Sequence, residues 1–294
     1  MTTSKPASAA ATMSLAGVGS NWVGASGLAG GKGYAPCALG QTHYRALGAE
    51  GRTPFLLIHQ TPVGLVEFID VQSALAQAGR RSIAADNPGY GLSDPVSVPV
   101  TVASLADNLR QLCDHLGAKR VIVAGHHTGA AIAASFAARH PSVTAGVVLH
   151  GAPLYTAEER AERLARPSPT LALKPDGSHF GEIFCAIGKH AGIDVQSLAA
   201  ISWATMGTFF AGSGSPVYRA IFANDMAPDL AAIRAPTLVL TDRNDSLHAN
   251  DQRAVALRPD FTLQTFSDGG SFTLMREPQR WAGVLIQFAD THGL

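Results

Sequence analysis

The feature that most limits what this chain can fold into is a repeated exchange between two hydrophobic rhythms. Short, largely apolar runs occur at Pro54–His59 (PFLLIH), Arg81–Ala85 (RSIAA), Arg120–Ala124 (RVIVA) and Val143–Leu149. A strand covered on both faces has no polar side to show, so such runs predict buried strands. Between them, Phe68–Ala78, Thr101–Leu116 and Gly129–His140 carry helical spacing. Thr101–Leu116 brings Leu105, Leu109, Leu112 and Leu116 to one side, and the alanine-rich Gly129–His140 is stopped by Pro141. The alternation resumes with Pro236–Thr241 and Phe261–Phe266 as strands and Glu277–Asp290 as a closing helix. Strands and helices joined by short links predict an α/β fold, a parallel sheet with helices on both faces.

The 294 residues suit one α/β core with an insertion. Thr156–Pro228 has helical stretches and loop punctuation but no good strand, which predicts a helical cap over residues 156–228. The core then comprises residues 33–155 and 229–294. Residues 1–32 are rich in Ala, Ser, Thr and Gly and read as a flexible N-terminal tail; Ala9–Val18 is too small and broken for a secretory signal.

Lysine plus arginine equals aspartate plus glutamate, 22 each, which gives no reason to expect nucleic acid or an anionic membrane as partner. No apolar run reaches the roughly 18 residues of a membrane span. Three cysteines, Cys37, Cys113 and Cys185, without a CxxC spacing, suggest neither a disulfide framework nor a thiolate metal site and fit a reducing cytoplasm. The histidines lack HxH or HExxH spacing, so no metal is expected. No cofactor is expected either, and the oligomeric expectation is a monomer or homodimer.

Four motifs follow one another along the chain. His59-Gln60-Thr61-Pro62 ends a strand, Pro88-Gly89-Tyr90-Gly91-Leu92-Ser93-Asp94 is turn chemistry, Gly125-His126-His127-Thr128-Gly129 joins a strand to a helix, and Thr241-Asp242-Arg243-Asn244-Asp245 follows a later strand. In this order and spacing the chain resembles the α/β-hydrolase superfamily, from about Gly33 to the C-terminus, in its epoxide-hydrolase and dehalogenase-like branch. The resemblance implies a mostly parallel eight-stranded sheet with a helical cap, and a nucleophile elbow at the third motif. The elbow needs small residues two before and two after its centre, where the backbone crosses itself. Gly125 and Gly129 meet that need only if His127 is the centre.

Members of the superfamily usually carry Ser, Asp or Cys at that point and a histidine after the last strand. Here the centre is His127, and the late segment Asp268-Gly269-Gly270-Ser271-Phe272 has Ser271 in the histidine's place. Asp245 matches the acid position, with Asp242 as the nearby alternative. The resemblance therefore implies a catalytic set of His127, Ser271 and Asp245 with two members exchanged. A helix N-terminus disfavours imidazolium, so His127 is expected neutral and able to accept a proton. The implied oxyanion donors are the N–H groups of Thr61 and Thr128; Gln60 either alters that loop or adds an amide for the substrate. His59 and His150 lie at strand ends, and His179 in the cap could point down into the cleft. Trp203, Phe209, Phe210, Tyr218 and Phe222 read as the cap's own core or as the lining of an apolar pocket.

The expected function is an enzyme acting on a small, mostly apolar, carbonyl-bearing molecule, with His127 as general base or nucleophile and hydrolysis as the leading reaction. The alternatives are a cofactor-free lyase cleaving C–C or C–O bonds at the same site, and a ligand-binding, receptor-like protein. Ordinary serine-esterase chemistry is not expected without an elbow serine.

Overall fold

A computed structural model describes residues 30–96, 99–166, 172–191, 198–211 and 215–294. The first 29 residues of the expected tail lie outside the described residues, and the remaining three enter a strand. The described residues open with a hairpin, β1 (Gly30–Cys37) and β2 (Gly40–Leu47). Then come β3 (Phe55–Ile58), a 3-10 turn (Leu65–Phe68) leading into α1 (Ile69–Gln77), β4 (Ser82–Ala85), α2 (Val102–His115), β5 (Val121–His126), α3 (Thr128–Arg139) and β6 (Thr144–His150). Helices α4 (Ala157–Ala165), α5 (Ser178–Ala191), α6 (Leu198–Ala211), α7 (Pro216–Ala223) and α8 (Ala227–Ala232) separate β6 from β7 (Thr237–Asp242). The chain closes with α9 (His248–Leu257), β8 (Thr262–Ser267), the short α10 (Thr273–Arg276) and α11 (Pro278–Thr291).

The eight strands form one sheet in the order β1-β2-β4-β3-β5-β6-β7-β8. The first hairpin and its junction with β4 are antiparallel; the other neighbours run parallel. Side chains of a strand point to opposite faces in turn. Leu56, Ile58, Val121, Val123, Val147, Leu149 and Val239 accordingly pack on one face, against Leu105, Leu109 and Leu112 of α2 and the alanines of α3. Phe55, Leu57, Ile122, Ala124, Val148, Leu238 and Leu240 pack on the other, against Val71 and Leu75 of α1 and Trp281, Leu285 and Phe288 of α11. The central strands are buried throughout because both faces are covered. Helix α2 begins with a capping box in which Thr101 and Ser104 bond each other's backbone N–H, so Thr101 serves as the cap and not as helix.

Strand register decides what meets at the sheet's C-terminal edge. In β5 and β6, His126 pairs with His150, so the residues that follow each, His127 and Gly151, leave the sheet side by side. Open parallel sheets gather ligands beyond this edge. The loops after β3, β5, β6 and β7 all emerge there, with the helical insertion joined on by the chain after β6.

Candidate active site

The turn from β5 into α3 centres on His127, whose φ of 48° and ψ of −110° make it the one non-glycine residue with positive φ among the described residues. Such a backbone is strained for a bulky residue and persists only where its surroundings fix it. The surroundings do so by crowding. A Cβ on Gly125 would lie 2.1 Å from the carbonyl oxygen of Gly129, and a Cβ on Gly129 would lie 1.9 Å from that of Ile58. Only glycine fits at either place. The N–H of His127 donates to the carbonyl of His150 at 2.8 Å, which fastens the turn to β6.

From this turn the imidazole reaches sideways, over Gly151, to the loop after β7. Its Nε2 lies 2.9 Å from Oδ2 of Asp245. Asp245 is fixed in turn by the N–H of Leu247, which donates to Oδ1 at 2.7 Å. Burial works against charge on His127, but the carboxylate of Asp245 beside it, with Glu67 and Asp251 further off, outweighs burial and raises its pKa above the ordinary imidazole value. The expected neutral imidazole at a helix N-terminus is thereby corrected: a partial charge at a helix end is weaker than a whole carboxylate at hydrogen-bond distance. For Asp245, burial favours the neutral acid, yet the charge and hydrogen bond of His127 hold its carboxyl well below the usual range.

Ser271 is not part of this pair. Among the described residues no hydrogen bond joins its hydroxyl to His127 or Asp245; its backbone carbonyl instead accepts from Nε2 of Gln60 at 2.8 Å. The hydrogen-bonded set is therefore the pair His127 and Asp245, without Ser271. Asp242, the alternative acid, is engaged elsewhere: its Oδ2 accepts from Nε2 of His150 at 2.9 Å, and its Oδ1 accepts from the hydroxyl of Ser267. Nδ1 of that His150 accepts from the indole N–H of Trp281 at 3.0 Å, so His150 is a buried strut and not a pocket residue.

Other expectations are corrected by burial. His59 is fully buried: its Nε2 accepts from the N–H of Asn87 at 2.9 Å, which leaves Nδ1–H to donate to the carbonyl of Gln60 at 2.7 Å. With both nitrogens used by backbone it holds the loop and cannot meet a substrate. The amide of Gln60 does not face the cleft, since Nε2 donates to Oε1 of Glu67 at 2.9 Å as well as to Ser271. His179 stays in the insertion, accepting at Nδ1 from the N–H of Lys174 and packing on Phe180 and Phe209 at 4.6 and 5.3 Å between ring centroids. His126 is buried, with Nδ1 2.6 Å from Oε1 of Glu67.

A small cleft of about 50 Å³ opens over His127. Thr61, Thr128, Pro153, Tyr155 and Leu247 line it with His127, and Tyr218, Ile221 and Phe222 of α7 complete its lining. The hydroxyls of Thr61 and Thr128 meet at 2.8 Å, so these two residues are neighbours beside the imidazole. Neither of their N–H groups has a backbone acceptor among the described residues. Of the insertion's aromatic residues, Tyr218 and Phe222 line the cleft, whereas Trp203 packs against Val63, Ile201 and Phe272. The side chain of Phe210 lies outside the described residues.

Three contributors were not visible in the sequence patterns. Gly151 leaves room for the imidazole, Asp251 pins the turn behind it by accepting from the N–H of Ala152 at 2.6 Å, and Glu67 binds Gln60 to His126. Only Glu67 carried a signal, as a lone acid inside the apolar run Val63–Ile69.

The sheet order, the strained turn between β5 and α3 and the acid after β7 define an α/β-hydrolase fold. Residues 53–171 match the family model described as alpha/beta hydrolase fold. Over 266 residues the chain is 26% identical to 2-hydroxy-6-oxononadienedioate/2-hydroxy-6-oxononatrienedioate hydrolase 2 of Pseudomonas putida, covering 84% of this chain and 91% of that protein. A 95-residue stretch is 36% identical to epoxide hydrolase B of Mycobacterium tuberculosis, covering 32% of this chain and 27% of that protein. Among solved structures, the enol-lactonase of Burkholderia xenovorans superposes with a TM-score of 0.70 at 19% identity, over 88% of this chain and all of that one. These likenesses support the α/β-hydrolase fold and hydrolase-type function.

Proposed function

We propose that this protein is a hydrolase in which His127, oriented by Asp245, is the general base that activates water against a small, mostly apolar, carbonyl-bearing substrate. The observation that carries the reading is the 2.9 Å contact between Nε2 of His127 and Asp245 in a residue that also lines the cleft. Asp245 takes the Nε2–H, so Nδ1 is left as the proton acceptor. It removes a proton from water, the resulting hydroxide adds to the carbonyl carbon, and the N–H groups of Thr61 and Thr128 receive the developing oxyanion. The imidazolium then returns its proton to the leaving group as the carbonyl re-forms. The pair of His127 and Asp245 supplies the base-and-orienter half of the ordinary triad, while water replaces the serine.

The sequence likeness to hydrolases favours hydrolysis over a lyase reaction or ligand binding without turnover. The substrate class follows from the lining, in which Pro153, Ile221, Phe222 and Leu247 offer apolar contact and Tyr155 and Tyr218 offer hydroxyls. The test is turnover of a panel of small apolar esters and lactones by the unaltered protein and by His127→Ala. Removal of a general base is expected to lower kcat by about 10²–10⁴ with the fold retained. A His127→Ala protein with unchanged turnover would sink the reading. Serine-directed fluorophosphonates are expected to leave the protein unlabelled; stoichiometric labelling at Ser271 would replace water by a serine nucleophile.

A further inference from the structure

The mechanism above gives no task to Glu67, a fully buried carboxyl group in the 3-10 turn before α1. Its Oε1 lies 2.6 Å from Nδ1 of His126, and the ring of His126 packs on that of His127 with centroids 4.5 Å apart. Two histidine–carboxylate pairs, Glu67 with His126 and Asp245 with His127, are thus packed ring against ring in one dry volume. In such surroundings a charge one ring away is poorly screened and acts on its neighbour's proton affinity.

We infer that Glu67, acting through His126, is a positioning residue that sets the pH at which His127 gains and loses its proton. The inference rests on the reading of His127 as the base, although the titration itself needs no turnover. Several other groups face His127. Asp245 comes from the loop after β7, Asp251 from α9 and His126 from β5; His150 of β6 and Asp242 of β7 stand one ring further, and Tyr155 and Tyr218 line the cleft. Glu67 itself is faced by His126, by His127 and by His59 and Gln60 of the loop after β3.

Among the carboxylates, Asp245 stays ionised throughout and Asp242 is committed to His150 and Ser267. Burial pushes Glu67 up to about 7, against the hydrogen bonds of Gln60 and the charge of His127. Its charge therefore changes in the range where an enzyme base works. Gln60 holds the carboxyl through both its N–H and its side-chain amide, which keeps Glu67 turned toward His126 in either state.

The test follows the ring nitrogens of His127 by NMR while pH is varied, in the full chain without substrate. In the unaltered protein the His127 curve should bend twice, with one inflection at the pH where the Glu67 carboxyl carbon titrates, as coupled sites do. Glu67→Gln keeps the shape and one acceptor oxygen and removes the charge. Its His127 curve should have one inflection fewer and a midpoint lower by about one pH unit. An unchanged midpoint in a folded Glu67→Gln protein overturns the inference. So does an unaltered protein whose His127 curve carries no trace of the Glu67 titration, which decides the matter even if the variant fails to fold. If the titrations behave as expected while His127→Ala keeps full turnover, the functional reading fails and the coupling stands.

Discussion

The ring of His127 occupies the space that any side chain at position 151 would need: a Cβ on Gly151 would lie 2.4 Å from Cδ2 and 2.8 Å from Nε2 of the imidazole. Gly151 also has a φ of 66°, which ordinary residues adopt with strain. Seating a long side chain at the elbow thus required an empty place at the end of β6.

That relationship gives the first prediction. Gly151→Ala should push the imidazole off Asp245, lowering turnover, and should destabilise the protein by about 1–3 kcal/mol from backbone strain and overlap. In the double variant with His127→Ala the overlap disappears, so the two changes should be less destabilising together than their sum. Urea denaturation of the four proteins measures this, and strict additivity would contradict the contact.

Activity should depend on pH in a direction fixed by the ion pair. His127 is a base only when unprotonated, and its pKa is raised above the ordinary value near 6.5, so the rate should fall as pH drops through a midpoint higher than that value. Asp245→Asn leaves burial as the stronger influence, which should move the midpoint down while lowering the plateau rate. A midpoint unmoved in Asp245→Asn would mean that Asp245 does not govern the base.

Ser271 and Gln60 should differ. Ser271→Ala removes a hydroxyl with no hydrogen bond to the catalytic pair, so turnover should stay within a few fold of the unaltered protein. Gln60→Ala strips donors from the buried Glu67 and from the part-buried carbonyl of Ser271, leaving the buried acceptor short at about 1–3 kcal/mol. Thermal denaturation and kcat of both variants check this, and a larger loss in Ser271→Ala would restore the serine to the mechanism.

Folding stability should decline on the alkaline side of neutrality. Burial raises Asp251 to about 8 from an ordinary 3.8 and Glu67 to about 7 from 4.5. A raised folded value gives stability that is complete below the unfolded value and is lost as pH rises through the folded one. His126 acts oppositely, since burial first, and the charge of His127 next, lower it well below 6.5; its contribution is lost only as pH falls below that value. Between pH 7 and 8 the Asp251 effect is unopposed by His126, and because Asp251 itself approaches half-protonation there the slope is about −1 kcal/mol per pH unit. Urea denaturation at these two values should show the fall, and Asp251→Asn should reduce it. Equal slopes in both proteins would refute the assignment to Asp251.

Much of the architecture was legible because it is periodic. The apolar runs of β3, β5, β6 and β7 and the leucine stripe of α2 report burial on two faces and on one. The hairpin of β1 and β2 was not read strand by strand, because Gly30–Leu47 is glycine-rich and polar and shows no apolar rhythm. At the site, Gly125 and Gly129 located His127, since crowding there leaves glycine no substitute. The partnership with Asp245 instead of Ser271 depends on which way one imidazole turns, and no spacing encodes a side-chain torsion. Likewise the strand-end histidines His59 and His150 resemble ligand-facing groups in sequence, while their partners, Asn87, Asp242 and Trp281, lie far along the chain.

The contact of His127 with Asp245 also has a mechanical consequence. Both ends of the base-and-acid pair are mounted on the frame of the sheet, one at the close of β5 and the other just beyond β7. The loop after β8, which in an ordinary triad must hold a histidine in aim through every turnover, is relieved of that duty. If His127 is the base, as proposed, bending of that loop and of α7 on substrate entry and release need not disturb its aim.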